Sequence, residues 1–355
     1  MKTLARILII LFGVSLLMGC QTGYLIKSSY YQLKMLSKKE TFDDAMKDSR
    51  LDAETKRKIR LVQDVKKFAE EKIGLVHTKN YQTFVLLDDK YVVYAVTAAY
   101  QDRLEGYTWW FPIVGQVPYK GFFKKADALD EQSDLEKKSL DVSVRGVSAY
   151  STLGWFSDPL LSSMTSYDDS DLVETVIHET THATLYIKSN ADFNEQLAVF
   201  VGIKGMEQFY QSVEGPDSPT VKHARMISED SKTFSNFIAK EIKRVEEFYK
   251  EHKGSPTLLQ DRNKVFEQLK ENFKTQCIPD LKTDYYKYFA QQKINNALLL
   301  SYKTYYQDLH LFESAFEKFD HSWPKFFEFF KSLKSSEEPD KELKKFLGVT
   351  ADGSK

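Results

Sequence analysis

The sequence is poor in cysteine, in net charge and in long apolar runs. Only two cysteines are present, Cys20 and Cys277, so a disulfide framework within the chain is excluded. The 50 Lys and Arg residues balance the 51 Asp and Glu residues, and this balance gives no preference for nucleic acid or an acidic lipid surface. Because 42% of its 355 residues are hydrophobic, the chain can bury a sizeable core in one large or two smaller domains.

The apolar run at the N-terminus, Ile7 to Met18, is too short to span a bilayer, which takes about 20 apolar residues in a helix. It ends in Leu17-Met18-Gly19-Cys20, which resembles the lipobox of bacterial lipoproteins. This resemblance implies that residues 1–19 are a signal peptide and that Cys20 carries the acyl chains of a stable membrane anchor. By resemblance to lipoprotein sorting, Gln21 rather than Asp after the cysteine favours the outer membrane, facing the periplasm. The alternatives are an uncleaved anchor helix and an ordinary secreted protein.

Helical spacing of apolar residues dominates most of the chain. One long helix is expected over Thr41 to Ile73, because it opens with a Thr41-x-x-Asp44 capping pattern and closes at Gly74. The tail after Leu333 is polar and is expected to be loosely ordered. Further helical patterns cover residues 124–138, 171–187, 193–212, 218–252, 257–276, 281–308 and 310–333.

Strand patterns occur earlier in the chain. Tyr81 to Leu87 and Tyr91 to Tyr100, separated by turn residues, predict a β-hairpin, and the alternation along Asp141 to Tyr150 predicts an edge strand. The fold class is therefore α+β and helix-rich, with a small antiparallel sheet and a long helical C-terminal portion. The predicted regions are the signal peptide at 1–19, an α+β region with the edge strand at 20–160, a region of helices with the helical C-terminal portion at 161–335, and a polar tail at 336–355.

Two histidines and a glutamate stand at metal-binding spacing in a well-capped helical stretch. His178 and His182 are four residues apart, so their Cβ atoms lie about 5–6 Å apart on one helix face, which suits two imidazoles converging on one ion. Glu179 projects beside them, where it can take a proton from water and pass it to a leaving amine. Chance is the alternative, but only about 0.01 such matches are expected in a chain of this composition. The pattern predicts a zinc peptidase site.

A catalytic zinc ion needs a third protein ligand and one open position. Glu195, on the next predicted helix, would face the histidines after a short chain reversal. Asp192 and Glu195 also have the spacing of a capping box, which would occupy Glu195 in capping its own helix. Asp192 or Glu207 would then be the ligand, and spacing alone leaves these choices open.

The motif His178-Glu179-x-x-His182, followed by Asn194-Glu195-x-x-Ala198-x-Phe200-x-Gly202, resembles a family of bacterial lipoproteins described as predicted zinc aminopeptidases, within the gluzincin group. Residues 111–121, 146–160 and 293–299 resemble the same family, so the resemblance runs from about Cys20 to Leu333. It implies a zincin-like metallopeptidase fold, aminopeptidase activity on peptides, and one zinc ion per chain held by His178, His182 and Glu195.

Several supporting residues are less specific. The predicted edge strand precedes the zinc helix, as in zincins, and could pair with an extended substrate, although an ordinary edge strand has the same pattern. Tyr150 or Tyr302 could donate to the oxyanion, although tyrosines more often pack. Glu174, Asp158 and Glu207 could hold a substrate ammonium group, and spacing singles out none of them.

Two other functions compete with a zinc aminopeptidase. One is a non-catalytic lipoprotein in which zinc is structural or marks a binding module, and the other is a zinc endopeptidase. Glu179 argues against the first, because structural zinc sites are normally closed by four protein ligands and have no use for a general base. The sequence does not separate the second from an aminopeptidase.

We predict that Cys20→Ser releases the protein from membranes, because the apolar run before it is too short to hold the chain as a stable span. Fractionation of cells expressing either form measures the effect, with wild type as the membrane-bound reference. Retention of the variant in the membrane fraction without detergent would exclude the lipoprotein interpretation.

Overall fold

The computed structural model describes residues 22–111, 115–149, 157–306 and 308–349. Within these residues the protein is rich in helix and has three small sheets. The helix-rich part of the predicted fold class is therefore confirmed, whereas its zincin-like part stays a prediction. No helix of the described ranges is both long enough and apolar enough to cross a bilayer.

The helices and strands follow one another from residue 22 to residue 347. The helices are α1 over residues 22–36, α2 Phe42–Lys47, α3 Ala53–Phe68, α4 Lys125–Glu136, α5 Asp169–Thr184, α6 Ala191–Glu214, α7 Pro219–Glu251, α8 Leu258–Asn272, α9 Asn296–Tyr306, α10 Leu309–Lys318, α11 Trp323–Ser332 and α12 Pro339–Leu347. The strands are β1 Glu40–Thr41, β2 Thr83–Val85, β3 Val93–Tyr100, β4 Trp109–Phe111, β5 Gly115–Val117, β6 Tyr119–Phe122, β7 Leu140–Val147 and β8 Leu160–Leu161.

The sheet nearest to the candidate site is the antiparallel sheet β6-β3-β7. In the described residues β7 pairs with β3 alone, with Ala95 opposite Arg145, so the predicted edge strand is confirmed over Leu140–Val147. One face of this sheet packs on α4, where Val96, Leu135 and Leu140 are buried. Helix α9 contacts both β3 and β7 of the same sheet.

The predicted hairpin between Tyr81 and Tyr100 is wrong, although a strand forms in each half. Strand β2 pairs antiparallel with β1 and parallel with β8, while β3 belongs to the sheet β6-β3-β7. Phe84 and Val85 are fully buried in the largest core, which holds β2 away from β3. The turn residues Asp88 to Lys90 indicate a change of direction, but they carry no information on the partner of each strand.

The predicted helix over Thr41 to Ile73 has the correct ends and an unpredicted break. The Thr41 hydroxyl accepts from the Asp44 N–H at 3.1 Å, and the helical chain ends at Gly74, whose φ is 82°. The break lies between α2 and α3, where the Asp52 carboxylate accepts from the Thr55 N–H at 2.7 Å. Aspartate competes for backbone N–H groups in this way and starts a new helix.

The predicted helix over residues 281–308 is correct only from Asn296 onward. The Asp230 carboxylate on α7 accepts from the Lys282 and Thr283 N–H groups at 2.7 and 2.8 Å, which holds that segment as a loop. Asn295 then accepts from the Leu298 N–H at 2.9 Å and starts α9. A long-range contact thus replaces helical hydrogen bonds that the periodicity favours.

Two predictions for the C-terminus are also corrected. The helix over 310–333 is interrupted between α10 and α11, because Asp320 and His321 have φ values of 53° and 58° and a proline stands in the first turn of α11. The tail at 336–355 is not loosely ordered throughout, since α12 packs on α10 with Leu343 fully buried.

The core that surrounds the candidate site is the largest of three. It contains the inner faces of α3, α5 and α6 and the aromatic side chains of α10 and α11, including Phe312, Phe316 and Phe326. A second core lies between the later half of α7, α8 and α9. Helix α9 contacts α6, α7, β3 and β7, so it joins the helical part to the sheet.

We predict that Leu343→Ala lowers the free energy of unfolding by about 2–5 kcal/mol, because it removes a fully buried side chain from the core. Urea unfolding of the chain from Gln21 onward measures the change. The control is Lys345→Ala on the exposed face of α12, expected to change stability by less than about 0.5 kcal/mol. Equal values for the two variants would mean that α12 does not pack.

Candidate metal centre

Helix α5 carries most of the candidate centre and is held at its N-terminal end by α3. Arg57 forms two hydrogen bonds to the Asp169 carboxylate, at 2.8 and 2.6 Å, in the first turn of α5. Two threonines between the histidines are buried, and their hydroxyls donate to the Val176 and Ile177 carbonyls at 2.6 and 2.9 Å. These bonds satisfy the hydroxyls inside the helix, so both residues are tolerated in the core.

The side chain of Asn194 sets the reversal between α5 and α6. Its amide oxygen accepts from the Ile187 N–H at 2.8 Å, and its amide nitrogen donates to the carbonyls of Ile187 and Asn190 at 2.8 Å each. Asn194 is buried, and all three bonds stay within the connection. The neighbouring Glu195 is thereby turned toward α5. The sequence motif contained Asn194, but spacing did not predict its role.

Helix α6 also approaches α5 closely at two glycines. A Cβ atom at Gly202 would lie 2.9 Å from Glu174 Oε1 and 3.1 Å from the Glu174 carbonyl oxygen. A Cβ atom at Gly205 would lie 2.7 Å from Ile73 Cδ1 and 3.0 Å from Ile177 Cδ1. All four distances are shorter than ordinary van der Waals contacts. Glycine at these positions lets the two backbones come close enough for Glu195 to reach the histidines.

The structure brings His178, His182 and Glu195 together. The two Nε2 atoms are 3.1 Å apart, Glu195 Oε2 lies 3.4 Å from His178 Nε2, and Glu195 Oε1 lies 3.5 Å from His182 Nε2. Ligand atoms about 2.0–2.2 Å from a tetrahedral zinc ion lie about 3.3–3.5 Å from one another. The two imidazoles and the carboxylate therefore fit a zinc ion in both donor chemistry and spacing.

The charges of these residues depend strongly on one another. Burial opposes a charge on His178, but the hydrogen bond to Glu195 and the carboxylates of Glu179 and Glu174 outweigh it and raise the His178 pKa to about 9. Burial would raise the pKa of Glu195, yet the bonds to both histidines hold that pKa well below its ordinary value. In the absence of metal a proton on His178 thus takes the place of a cation.

Glu179 lies near His178, His182 and Glu195, and no hydrogen bond joins it to them. Burial raises the pKa of its carboxyl, the two histidines oppose this, and Glu195 and Asp158 raise it further. Its Oε2 atom is buried, and none of the described residues offers it a hydrogen bond. A carboxyl with a raised pKa and a free oxygen is suited to accept and return a proton near neutral pH.

Tyr81 is a neighbour of Glu179 and Asp158. It is buried, its φ of 54° is unusual for a residue with a side chain, and its N–H donates to the Asp158 carbonyl at 2.7 Å. Burial raises its pKa well above the ordinary value, and the charges of Glu179 and Asp158 add to this. The backbone of Asp158 in turn donates to the Asn80 side chain at 3.0 Å.

The three carboxylates considered for the substrate ammonium group have different positions. Glu207 pairs with Lys204 and Arg225 on the surface of α6 and is occupied. Asp158 is buried beside Tyr81. Glu174 lines an enclosed cavity of about 40 Å³ and lies 4.0 Å from His178 Nδ1, and burial raises its pKa to about 7.

The other two candidates for the third ligand do not lie with the histidines among the described residues. The Asp192 carboxylate accepts from the Thr304 hydroxyl at 2.8 Å, and Asn190 rather than Asp192 precedes α6 without a side-chain cap. The proposed capping box therefore does not form. Neither Asp192 nor Glu207 joins the histidines in the described residues, and Glu195 does.

Of the two tyrosines predicted to donate to the oxyanion, the structure describes one. Tyr150 lies outside the described residues. Tyr302 packs against Phe234 and Phe289 in the second core, and its hydroxyl accepts from the Gln292 amide at 2.6 Å. The contacts of Tyr302 therefore do not support a role at the metal centre.

Tyr305, one turn further along α9, faces the centre instead. Burial raises the pKa of its hydroxyl, and the charges of Glu195 and Glu179 raise it further, while Arg145 lowers it. The Arg145 guanidinium on β7 donates to the Tyr305 hydroxyl at 3.3 Å. Sequence reasoning missed both residues. The edge strand predicted to bind substrate was the one available signal for Arg145.

A family model described as "Putative aminopeptidase" matches residues 23–347 of the chain. Searches of curated proteins and of solved structures each found no match. The matched segment contains α5, α6 and α9, so the match and the candidate centre concern the same part of the molecule. The chain belongs to this aminopeptidase family.

Proposed function

We propose that the protein is a zinc-dependent aminopeptidase that holds one zinc ion through His178, His182 and Glu195. The observation that carries the proposal is the spacing of the three ligand atoms, at 3.1, 3.4 and 3.5 Å, close to the edges of a tetrahedron around zinc. Membership of the aminopeptidase family supports the same reaction class. Three protein ligands leave one coordination position open, as catalytic sites require.

Each residue of the centre has a separate role in the proposed reaction. When bound there, a zinc ion supplies Lewis-acid chemistry, polarising a carbonyl oxygen and making a water molecule more acidic. Glu179 accepts the proton of the attacking water and returns it to the leaving amine, which its raised pKa favours. We assign the donor to the oxyanion that develops on the substrate to the Tyr305 hydroxyl rather than to that of Tyr302, because the charges of Glu195 and Glu179 act on Tyr305.

Two arrangements favour catalysis over a structural zinc site. A structural site is usually closed by four ligands, whereas the group in the described residues has three. A structural site also has no use for the buried Glu179, whose Oε2 atom receives no hydrogen bond from the described residues, which carries an energetic cost. We further propose that the enzyme is anchored through Cys20, which stands two residues before the first described helix, α1.

We predict that Glu179→Gln keeps the zinc ion and lowers kcat about 10²- to 10⁴-fold, because only proton transfer is lost. Glu195→Gln should instead lower zinc affinity by more than about tenfold, because it alters a ligand. Zinc content after dialysis against a weak chelator and hydrolysis of a peptide library measure both effects. Glu207→Gln, a carboxylate of α6 outside the centre, is the control. Unchanged zinc affinity in Glu195→Gln would remove that residue from the ligand set.

The same assay separates an aminopeptidase from an endopeptidase. Each peptide is compared with its N-acetylated twin, which keeps the scissile bonds and loses the ammonium group. An aminopeptidase cleaves only the free form. Internal products, or equal cleavage of both forms, would show an endopeptidase and leave the zinc ligands in place.

We also predict that the apparent zinc affinity rises about tenfold per pH unit between pH 7 and pH 9 and levels off above pH 9. The reason is that zinc must displace the proton from His178, whose pKa is about 9 without metal. Below that pKa the proton competes with zinc, and above it the competition ends. Zinc titrations across this range, and calorimetry at pH 7 in buffers of different ionisation enthalpy, test the effect. A flat affinity with no proton release would contradict a protonated His178.

A further inference from the structure

Among the described residues Arg145 has no acidic partner within ion-pair distance, and it reaches Tyr305 instead. Its side chain is exposed to solvent, and its contacts in the described residues are the hydroxyl and the ring of Tyr305. Six other described arginines pair with a carboxylate, namely Arg50, Arg57, Arg103, Arg225, Arg244 and Arg262, whereas Arg60 on the exposed face of α3 does not. An exposed guanidinium that has no carboxylate of the protein as a partner can bind the carboxylate of a ligand at little cost of desolvation.

The position of Arg145 connects it to the candidate centre. Arg145 stands on the edge strand β7, opposite Ala95 of β3, and reaches Tyr305 on α9. Tyr305 is also under the electrostatic influence of Glu195 and Glu179. One tyrosine thus lies between the guanidinium and the residues proposed to hold zinc and transfer the proton.

Strand β7, which carries Arg145, is held by hydrogen bonds from the start of α9. The Asn295 amide donates to the Val142 carbonyl of β7 at 3.0 Å, and the Asn296 N–H donates to Asp141 at 3.0 Å. The Gln196 amide, next to Glu195, donates to the Lys303 carbonyl at 3.5 Å. Helix α9 therefore fixes β7 and the start of α6 relative to each other, so the guanidinium has a defined place beside the centre.

Among the described residues no strand pairs with the second edge of β7, so beyond Val142 this edge suits an extended peptide. A substrate that adds to this edge exposes alternate side chains and its terminus along the face on which Arg145 projects. The planar guanidinium of arginine offers paired N–H donors, which match the two oxygens of a carboxylate better than the ammonium group of a lysine would. A carboxylate close to the scissile bond can be either the α-carboxylate of a very short peptide or an acidic side chain next to the cut.

We propose that Arg145 binds a substrate carboxylate, so that the preferred substrates are peptides carrying a carboxylate close to the scissile bond. This inference rests on the proposed peptidase function. It assigns Arg145 to substrate selection, whereas the metal ligands and Glu179 act on the bond itself.

The test compares matched substrates. One pair is alanyl-alanine and its C-terminal amide, which differ in the α-carboxylate, and the other is alanyl-aspartate amide and alanyl-asparagine amide, which differ in the side chain. For at least one pair the zinc-loaded wild type should show kcat/KM about 10- to 100-fold higher for the carboxylate form, as expected for a charged hydrogen bond. Which pair shows the preference identifies the source of the carboxylate.

Three variants assign the preference to the guanidinium. In Arg145→Gln the ratio of kcat/KM values within the pair should fall to about one, and Arg145→Lys should restore part of it because the charge returns. Arg103→Gln is the control, since Arg103 lies at the far end of β3 and pairs with Asp102 and Glu105. A ratio near one for both pairs in wild type, or a ratio that Arg145→Gln leaves unchanged, overturns the proposal.

A binding measurement separates this inference from the proposed function. Calorimetry on zinc-loaded Glu179→Gln, with and without Arg145→Gln, gives the affinity for each ligand without turnover. Carboxylate-dependent binding that Arg145→Gln removes, in a protein whose wild type cleaves no peptide, would support Arg145 and refute the peptidase. Equal affinity for carboxylate and amide would refute Arg145 whatever the activity.

Discussion

The close packing of α6 against α5 is the contact on which the candidate centre depends. Glu195 is remote from the histidines along the chain and reaches them only because α6 folds back at a fixed angle. Gly202 and Gly205 allow the approach, since a side chain at either position would collide with α5 or Ile73. Asn194 fixes the start of α6 through three hydrogen bonds to the reversal. Packing and polar contacts thus act together on one carboxylate.

The centre concentrates negative charge in a region with little access to water. Glu174, Glu179 and Glu195 lie around His178, and burial alone would raise the pKa of each of these carboxyl groups. The raised pKa of His178 shows that the site favours a positive charge at its middle. A divalent cation would satisfy this preference better than a proton, and its binding energy would add to the stability of the α5 and α6 pair.

Helix α9 also joins the sheet to the helices of the candidate centre. Its first residue, Asn296, is fully buried and donates from its amide to the carbonyls of Tyr100 and Arg103 at 2.8 and 3.1 Å. The far end of the same helix presents Tyr305 to Arg145. Helix α9 therefore links the position of β3 and β7 to the helices of the candidate centre.

The sequence by itself determined the features that depend on neighbours along one helix or strand. The four-residue spacing of His178 and His182, the cap at Thr41, the end at Gly74 and the alternation of β7 are all local, so periodicity and capping rules predicted them. Only the tertiary structure decided the strand partner of β2, the loop that Asp230 holds, and that Glu195 rather than Asp192 lies with the two histidines. Only the tertiary structure also brought Tyr305 and Arg145 into contact. Each of these outcomes is set by contacts between residues far apart in sequence, whose energies outweigh local preferences and leave no periodic signal in the chain.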